Sequence, residues 1–318
     1  MRISRARART RTRTRARTAT GLAVCALALG TLPAWAAPSE AAAPTAPSHT
    51  VAAPETAARH VPLQGAVNVR DVGGYRTYDG ERVREGRVFR ADGLSKLTDA
   101  DLGTVAGLGL KKVIDFRVPA EVRYDGVDRL PAGLSPTSRP ITDNGLFTQL
   151  LTAIGSRDPV KQEEMLGNGK AAAFMRDVYR TFVTDAANRA QFAATLRDIA
   201  ASRSPLLYHC TSGKDRTGWT TYLLLRLVGV PERTAAGDYL ASNTYRAAYD
   251  AKVREALKQG GLMQNPDLII PLQEVRPDYL DTALTEATQR YGGFQDYLTK
   301  GLGLDARTIL KLRDRMVG

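Results

Sequence analysis

The two densest apolar runs of the chain lie almost back to back, between residues 205 and 228. Pro205-Leu-Leu-Tyr-His209 has the length of a buried strand, and Thr217 to Val228 reads as an almost wholly apolar helix. Gly229 follows with Pro231 just beyond, the order expected past a helix C-terminus. Lys112-Val-Ile-Asp-Phe116 is another short β-prone run. Before it, Thr98-Asp-Ala-Asp101 is an N-cap pattern opening a helix that stops at Gly107-Leu108-Gly109. Ala171 to Ala201 reads as two helices broken around Thr184–Asn188. Strands alternating with helices predict an α/β fold whose central, mostly parallel sheet is flanked by helices. Arg139–Gly169 and Ala251–Pro271 are harder to place; near the second lie an amphipathic helix candidate, Tyr249–Lys258, and the loose run GGLMQNPD.

Charge changes the picture only at the N-terminus. The 318 residues carry a formal charge of +12, which would suit an anionic partner such as nucleic acid. Eight of the arginines fall within the first 17 positions, however, and no acid precedes Glu40. An apolar run from Gly21 to Gly30 and the small-x-small site Ala34-Trp35-Ala36 follow, the three-part layout of a secretory signal peptide. Cleavage after Ala36 would leave 37 basic against 33 acidic residues, a charge of +4 that no longer suggests nucleic acid. The apolar run is shorter than the ~20 residues that span a bilayer, so no permanent membrane anchor is expected. The expected organisation is therefore a signal peptide (1–36), a Pro/Ala-rich linker (37–60) and one folded domain (61–318), exported from the cell.

Without Cys25, the exported chain keeps one cysteine, Cys210, so no intramolecular disulfide is expected. Cys210 opens the turn between the apolar strand and the apolar helix, in the run HCTSGKDRTG at 209–218. A strand-to-helix turn points successive backbone N–H groups into a concavity, and the helix dipole adds positive potential there. Such a nest binds a tetrahedral anion and stabilises a thiolate, which makes Cys210 the expected nucleophile. Arg216 can grip two phosphate oxygens with its rigid fork. Gly213 permits a tight cradle, and Gly218 leaves room for close packing. His209 is expected to bond within the loop, and Thr217 to donate to the sulfur.

HCTSGKDRTG resembles the Cys-x5-Arg signature of protein tyrosine phosphatases, and its GKDRTG version resembles a bacterial secreted branch with lipid-phosphatase-like members. Asn68-Val-Arg-Asp-Val-Gly-Gly74, Val88-Phe-Arg90 with Leu94-Ser95, Asp115-Phe-Arg117, Asp238-Tyr-Leu, Ser242-Asn243 and Tyr291-Gly-Gly-Phe-Gln-Asp-Tyr-Leu298 are also similar to that branch. One departure is Arg90-Ala91, where the family often has Arg-Ser. The resemblance implies a tyrosine-phosphatase-like fold with a phosphate-binding loop made by Thr211, Ser212, Gly213, Lys214, Asp215 and Arg216. It implies two steps: attack of Cys210 on phosphorus, then release of phosphate from a phosphocysteine by water. No metal or cofactor is expected, and three histidines with one cysteine are too few for a His/Cys zinc site.

The general acid has no Trp-Pro-Asp loop to sit on. Asp177 and Asp185 fall in helical sequence, Asp215 lies inside the loop and is favoured, and Asp115 is the runner-up unless it pairs with Arg117 or Arg70. Lys214 is expected as a second positive charge at the pocket mouth, and with the resemblance it implies dual activity on phosphotyrosine and phosphoinositides. Phosphorylated proteins or phosphoinositides are then the partners, with inorganic phosphate in the loop. The alternatives are a phosphatase for small soluble phosphates, such as inositol phosphates, or a catalytically inactive phosphate-binding module.

Overall fold

Four-residue runs that are buried on both faces become the middle of the sheet. A computed structural model describes residues 59–318. The expected signal peptide, Cys25, His49 and nearly all of the linker lie outside the described residues. Arg59 and His60, assigned to that linker by sequence, belong to the fold. Arg59 lies 3.6 Å over the Tyr75 ring, while His60 pairs with Arg70 and stacks on Tyr245.

Among the described residues the strands are β1 (Arg70–Asp71), β2 (Val88–Ala91), β3 (Lys112–Asp115), β4 (Pro136–Ser138) and β5 (Leu206–His209), joined in one sheet. Their order is β1-β2-β5-β3-β4, with only β1 antiparallel to its neighbour. In register, Ala91, His209 and Asp115 stand side by side at the ends of β2, β5 and β3. The loops leaving these three strands therefore meet at one edge, where open parallel sheets bind ligands. Alternation sorts the side chains of these strands into two layers. Phe89, Ala91, Val113 and Leu207 join a small core with Val105 of α1 (Asp99–Gly107). Val88, Ile114, Leu206 and Tyr208 face the larger helical core.

Helix α1 opens with the expected Thr98–Asp101 capping box. The segment after β3 supplies α2 (Pro119–Asp125). The unplaced 139–169 stretch holds two short helices, α3 (Leu146–Ser156) and α4 (Pro159–Leu166). The long helical stretch divides into α5 (Lys170–Thr184) and α6 (Ala186–Ala201), with Asp185 ending one and capping the other. Helix α7 (Arg216–Leu227) follows β5 and is buried from Arg216 to Leu225, as its sequence requires. Tyr249–Lys258 is no separate helix; it is the end of the 28-residue α8 (Glu232–Gln259). A short helical turn over 266–273 leads to α9 (Pro277–Tyr291) and α10 (Ala306–Met316). No helix among the described residues is long and apolar enough to cross a membrane.

Candidate active site

The loop after β5 is shaped by what holds its carbonyls. Cys210 O faces His209 Nδ1 at 3.2 Å, and Thr211 O accepts from Gly93 N at 3.0 Å. Ser212 O accepts from Asn68 Nδ2 (3.1 Å) and Arg246 Nη1 (3.3 Å), and Gly213 O accepts from Arg90 Nη2 at 2.7 Å. In a planar trans peptide the N–H points opposite to the C=O. Four carbonyls drawn outward therefore turn the N–H groups of Thr211, Ser212, Gly213 and Lys214 inward. None of the N–H groups of Thr211–Asp215 donates to a protein acceptor among the described residues. That leaves an anion cradle at the α7 N-terminus. Gly213 is required twice over: its φ is 64°, and a Cβ there would lie 2.5 Å from Ala91 O. At Gly218 a Cβ would press to 3.0 Å from Tyr239 Cδ2, so the space it leaves is taken by α8.

Cys210 lies at the start of this cradle, 2% exposed. Arg216 enters from the other end. Its Nη1 and Nη2 meet the Glu121 carboxylate of α2 at 2.7 and 2.5 Å, and Nη1 also reaches Phe116 O (3.2 Å) and Ile141 O (3.3 Å). Nε and the second hydrogen of Nη2 have no protein acceptor among the described residues. One edge of the fork is thus locked, and the other is open for two phosphate oxygens. Glu121 also accepts from Thr211 Oγ1 at 2.6 Å, so the same carboxylate fixes both ends of the loop. Burial would raise the Glu121 carboxyl, but the Arg216 charge and the bonds from Arg216, Thr211 and Val118 hold it below its ordinary value. Burial likewise opposes the Arg216 charge, and Glu121 outweighs it, with Cys210 and Asp143 adding to the effect.

The other basic residue of the loop is not at an open mouth. Lys214 is 2% exposed, and its ammonium donates to both Asp215 oxygens (3.0 and 2.7 Å) and to Glu274 O (3.2 Å). Asp215 also accepts from Tyr179 Oη at 2.9 Å. Thr217 does not reach the sulfur as expected; its Oγ1 is buried with no hydrogen-bond partner. Asp115 is closed on Arg117 through Nε (3.0 and 3.1 Å) and Nη2 (2.9 Å), which leaves it a structural ion pair. Arg70 pairs instead with Asp238. Asp177 pairs with Arg180 on the surface, and Asp185 caps α6.

A model of the tyrosine phosphatase family matches residues 61–318. The chain belongs to the tyrosine phosphatase family. The triple specificity protein phosphatase PtpB of Mycobacterium tuberculosis is 30% identical over 277 residues, covering 80% of this chain and 98% of that protein. A Cupriavidus necator protein whose name assigns it, provisionally, to the tyrosine-protein phosphatases is 30% identical over 243 residues, covering 76% of this chain and 84% of its own. A tyrosine-protein phosphatase of Nostoc commune is 28% identical over 233 residues, covering 71% of this chain and 73% of that protein.

As a member of this family the chain is a phosphoric monoester hydrolase acting on phosphorylated substrates. Among the described residues, buried ion clusters lie beside this loop in the phosphatase. Arg70 and Arg90 share Asp238, with Nε–Oδ1 at 3.1 Å and Nη1–Oδ2 at 2.5 Å, and Tyr75 donates to the same carboxylate at 2.8 Å. Burial would raise Asp238, and the two arginine charges overturn that and lower it. On the other side His209 Nε2 meets Asp128 at 2.8 Å, and Arg117 bonds to both Asp128 (2.7 Å) and Asp115. Burial disfavours the His209 imidazolium, but the Asp128 bond and the Asp128 and Asp115 charges raise its pKa overall. Asp115, Asp128 and His209 bring one potential metal ligand each within 4.8 Å. The Arg117 guanidinium already supplies the positive charge their carboxylates need.

Several residues of this phosphatase site escaped the sequence reading. Glu121, Tyr179, Arg246 and Asp143 stand in no motif, and no local pattern marks them. Arg90 and Asp238 were visible as motif letters but without a role, and Arg70 only as a possible partner of Asp115.

Proposed function

We propose that this chain is an exported phosphatase that hydrolyses phosphotyrosine in proteins, with phosphoinositides as a second substrate class, through a phosphocysteine intermediate. One arrangement carries the reading: the Cys210 sulfur, the inward amides of Thr211–Lys214 and the open edge of Arg216 belong to one loop. In the first step the Cys210 thiolate attacks phosphorus in line, the S–P bond forms and the P–O ester bond breaks. The amides and Arg216 stabilise the charge on the equatorial oxygens. Asp215 acts as the general acid, passing a proton to the departing oxygen. In the second step water attacks phosphorus, Asp215 takes its proton, the S–P bond breaks and inorganic phosphate leaves.

Breadth of substrate draws support from the printed name of the mycobacterial relative, a triple specificity phosphatase. Export draws support from the charged, apolar and small-residue layout of residues 1–36. The burial of Lys214 against Asp215 favours monophosphates over polyphosphorylated rings, so a small soluble monophosphate is the second reading. Cys210→Ser tests the mechanism: turnover of p-nitrophenyl phosphate should vanish while orthovanadate binding persists. Turnover at the native rate would refute it. A panel of phosphotyrosyl peptide, phosphoinositide and soluble monophosphate ranks the substrates.

A further inference from the structure

Asp215 occupies the N-cap position of α7, yet its side chain caps nothing. An Asp there ordinarily accepts from the N–H two or three residues on. Thr98, Asp158, Asp185 and Asp305 all do so at their own helices in this chain. The Asp215 carboxylate is instead turned to Tyr179 Oη (2.9 Å) and the Lys214 ammonium. Lys214 shares the loop with Asp215 and is tied outside it by one bond, to Glu274 O. Tyr179 is different: it comes from the middle of α5 and is fully buried. Its ring is set among Phe182, Tyr279 and Tyr239, with centroids at 5.0, 5.9 and 6.1 Å. Behind it, Tyr239 Oη of α8 donates to Tyr179 Oη at 2.8 Å, so the two hydroxyls form a directed chain ending on the carboxylate. Burial, and then the Asp215 charge, raise the Tyr179 phenol well above its ordinary value and keep it a donor.

A carboxylate capping α7 would accept from the N–H of Thr217 or Gly218, just past the cradle, and would set a negative charge at the helix N-terminus beside the phosphoryl group. We propose that Tyr179 is a positioning residue that latches Asp215 away from the α7 N-terminus, keeping the positive potential there for the phosphoryl group and the carboxyl beside the leaving oxygen. The second part rests on the proposed acid role of Asp215; the first does not.

The test titrates orthovanadate into the full chain. Tyr179→Phe keeps the ring and should raise the dissociation constant about tenfold, in the range a charge at a helix N-terminus commands. In an Asp215→Ala background, where nothing can cap, the same substitution should change it less than about twofold. Equal losses in both backgrounds, or none in the native one, overturn the latch. If Tyr179→Phe lowers the melting temperature enough to obscure the titration, Tyr239→Phe removes only the distal hydroxyl. It should give a smaller loss that also disappears in Asp215→Ala, and a loss that persists there overturns the proposal. Asp215→Ala separates the two claims: unchanged turnover of poor leaving groups removes the acid role, while the affinity pattern still decides the latch.

Discussion

Arg216 and Lys214 sit two positions apart on one loop, each buried against a carboxylate, yet only one has hydrogens to spare. A lysine has three N–H donors, and Lys214 directs them to Asp215 Oδ1, Asp215 Oδ2 and Glu274 O. An arginine has five in a fixed plane. Glu121, Phe116 O and Ile141 O occupy one edge of Arg216 and leave Nε with part of Nη2 open. A planar donor can thus be locked and available at once, while a point charge closed on its neighbour cannot. The partner's origin matters too. Glu121 comes from α2 and ties the loop to the scaffold, whereas Asp215 is the next residue and travels with Lys214.

Arg216→Lys attacks the comparison most directly. It keeps the charge and removes the second edge, so p-nitrophenyl phosphate turnover should fall about 10²–10³-fold. Retention of half the activity would show that charge alone suffices. Glu121→Gln comes next, because it leaves Arg216 buried without its counter-charge. Breaking a buried pair this way costs about 3–5 kcal/mol of stability, readable by denaturant melts, and turnover should fall with the loss of loop shape. Acid gives an independent reading. The folded Glu121 carboxyl lies below its ordinary 4.5, so the pair's contribution is complete above that pH and disappears as pH falls through the folded value. The stability–pH slope in that range should be shallower in Glu121→Gln than in the native chain.

What the sequence made legible follows the same division between local and distant. HCTSGKDRTG carries nucleophile, cradle and anion grip in ten consecutive positions, so strand, turn and helix context sufficed to read them. The helix break around Thr184–Asn188 and Thr98 as a cap were equally local. Helix α3 was missed because its N-cap is Gly145 in a left-handed conformation, with no Ser, Thr or Asp to announce a start. Helix α8 was seen only at its end because its earlier turns bury Asp238, Ser242 and Arg246, polar letters that hide the core-facing side. Those letters face Arg70, Arg90 and Asp92 from far along the chain, which no local period encodes. The burial of Lys214 likewise depends on a carbonyl 60 residues away.

Lys214→Met gives the smallest expected effect and the sharpest comparison. The substitution keeps the stem and removes the ammonium, leaving Asp215 held by Tyr179 alone on the protein side. Losing one partner of a charged hydrogen bond costs about 1–3 kcal/mol at most in such a setting, and Tyr179 limits how far the carboxylate can move. Turnover of a phosphotyrosyl peptide should therefore fall only about two- to tenfold. If all three donors of Lys214 stay closed during catalysis, phosphoinositide turnover falls by the same factor, because no ring phosphate ever meets the ammonium. A loss on phosphoinositides at least about tenfold larger than on phosphotyrosine would break the comparison. Lys214 would then exchange Asp215 for a ring phosphate, and its closure would be a resting state that a polyanionic substrate opens.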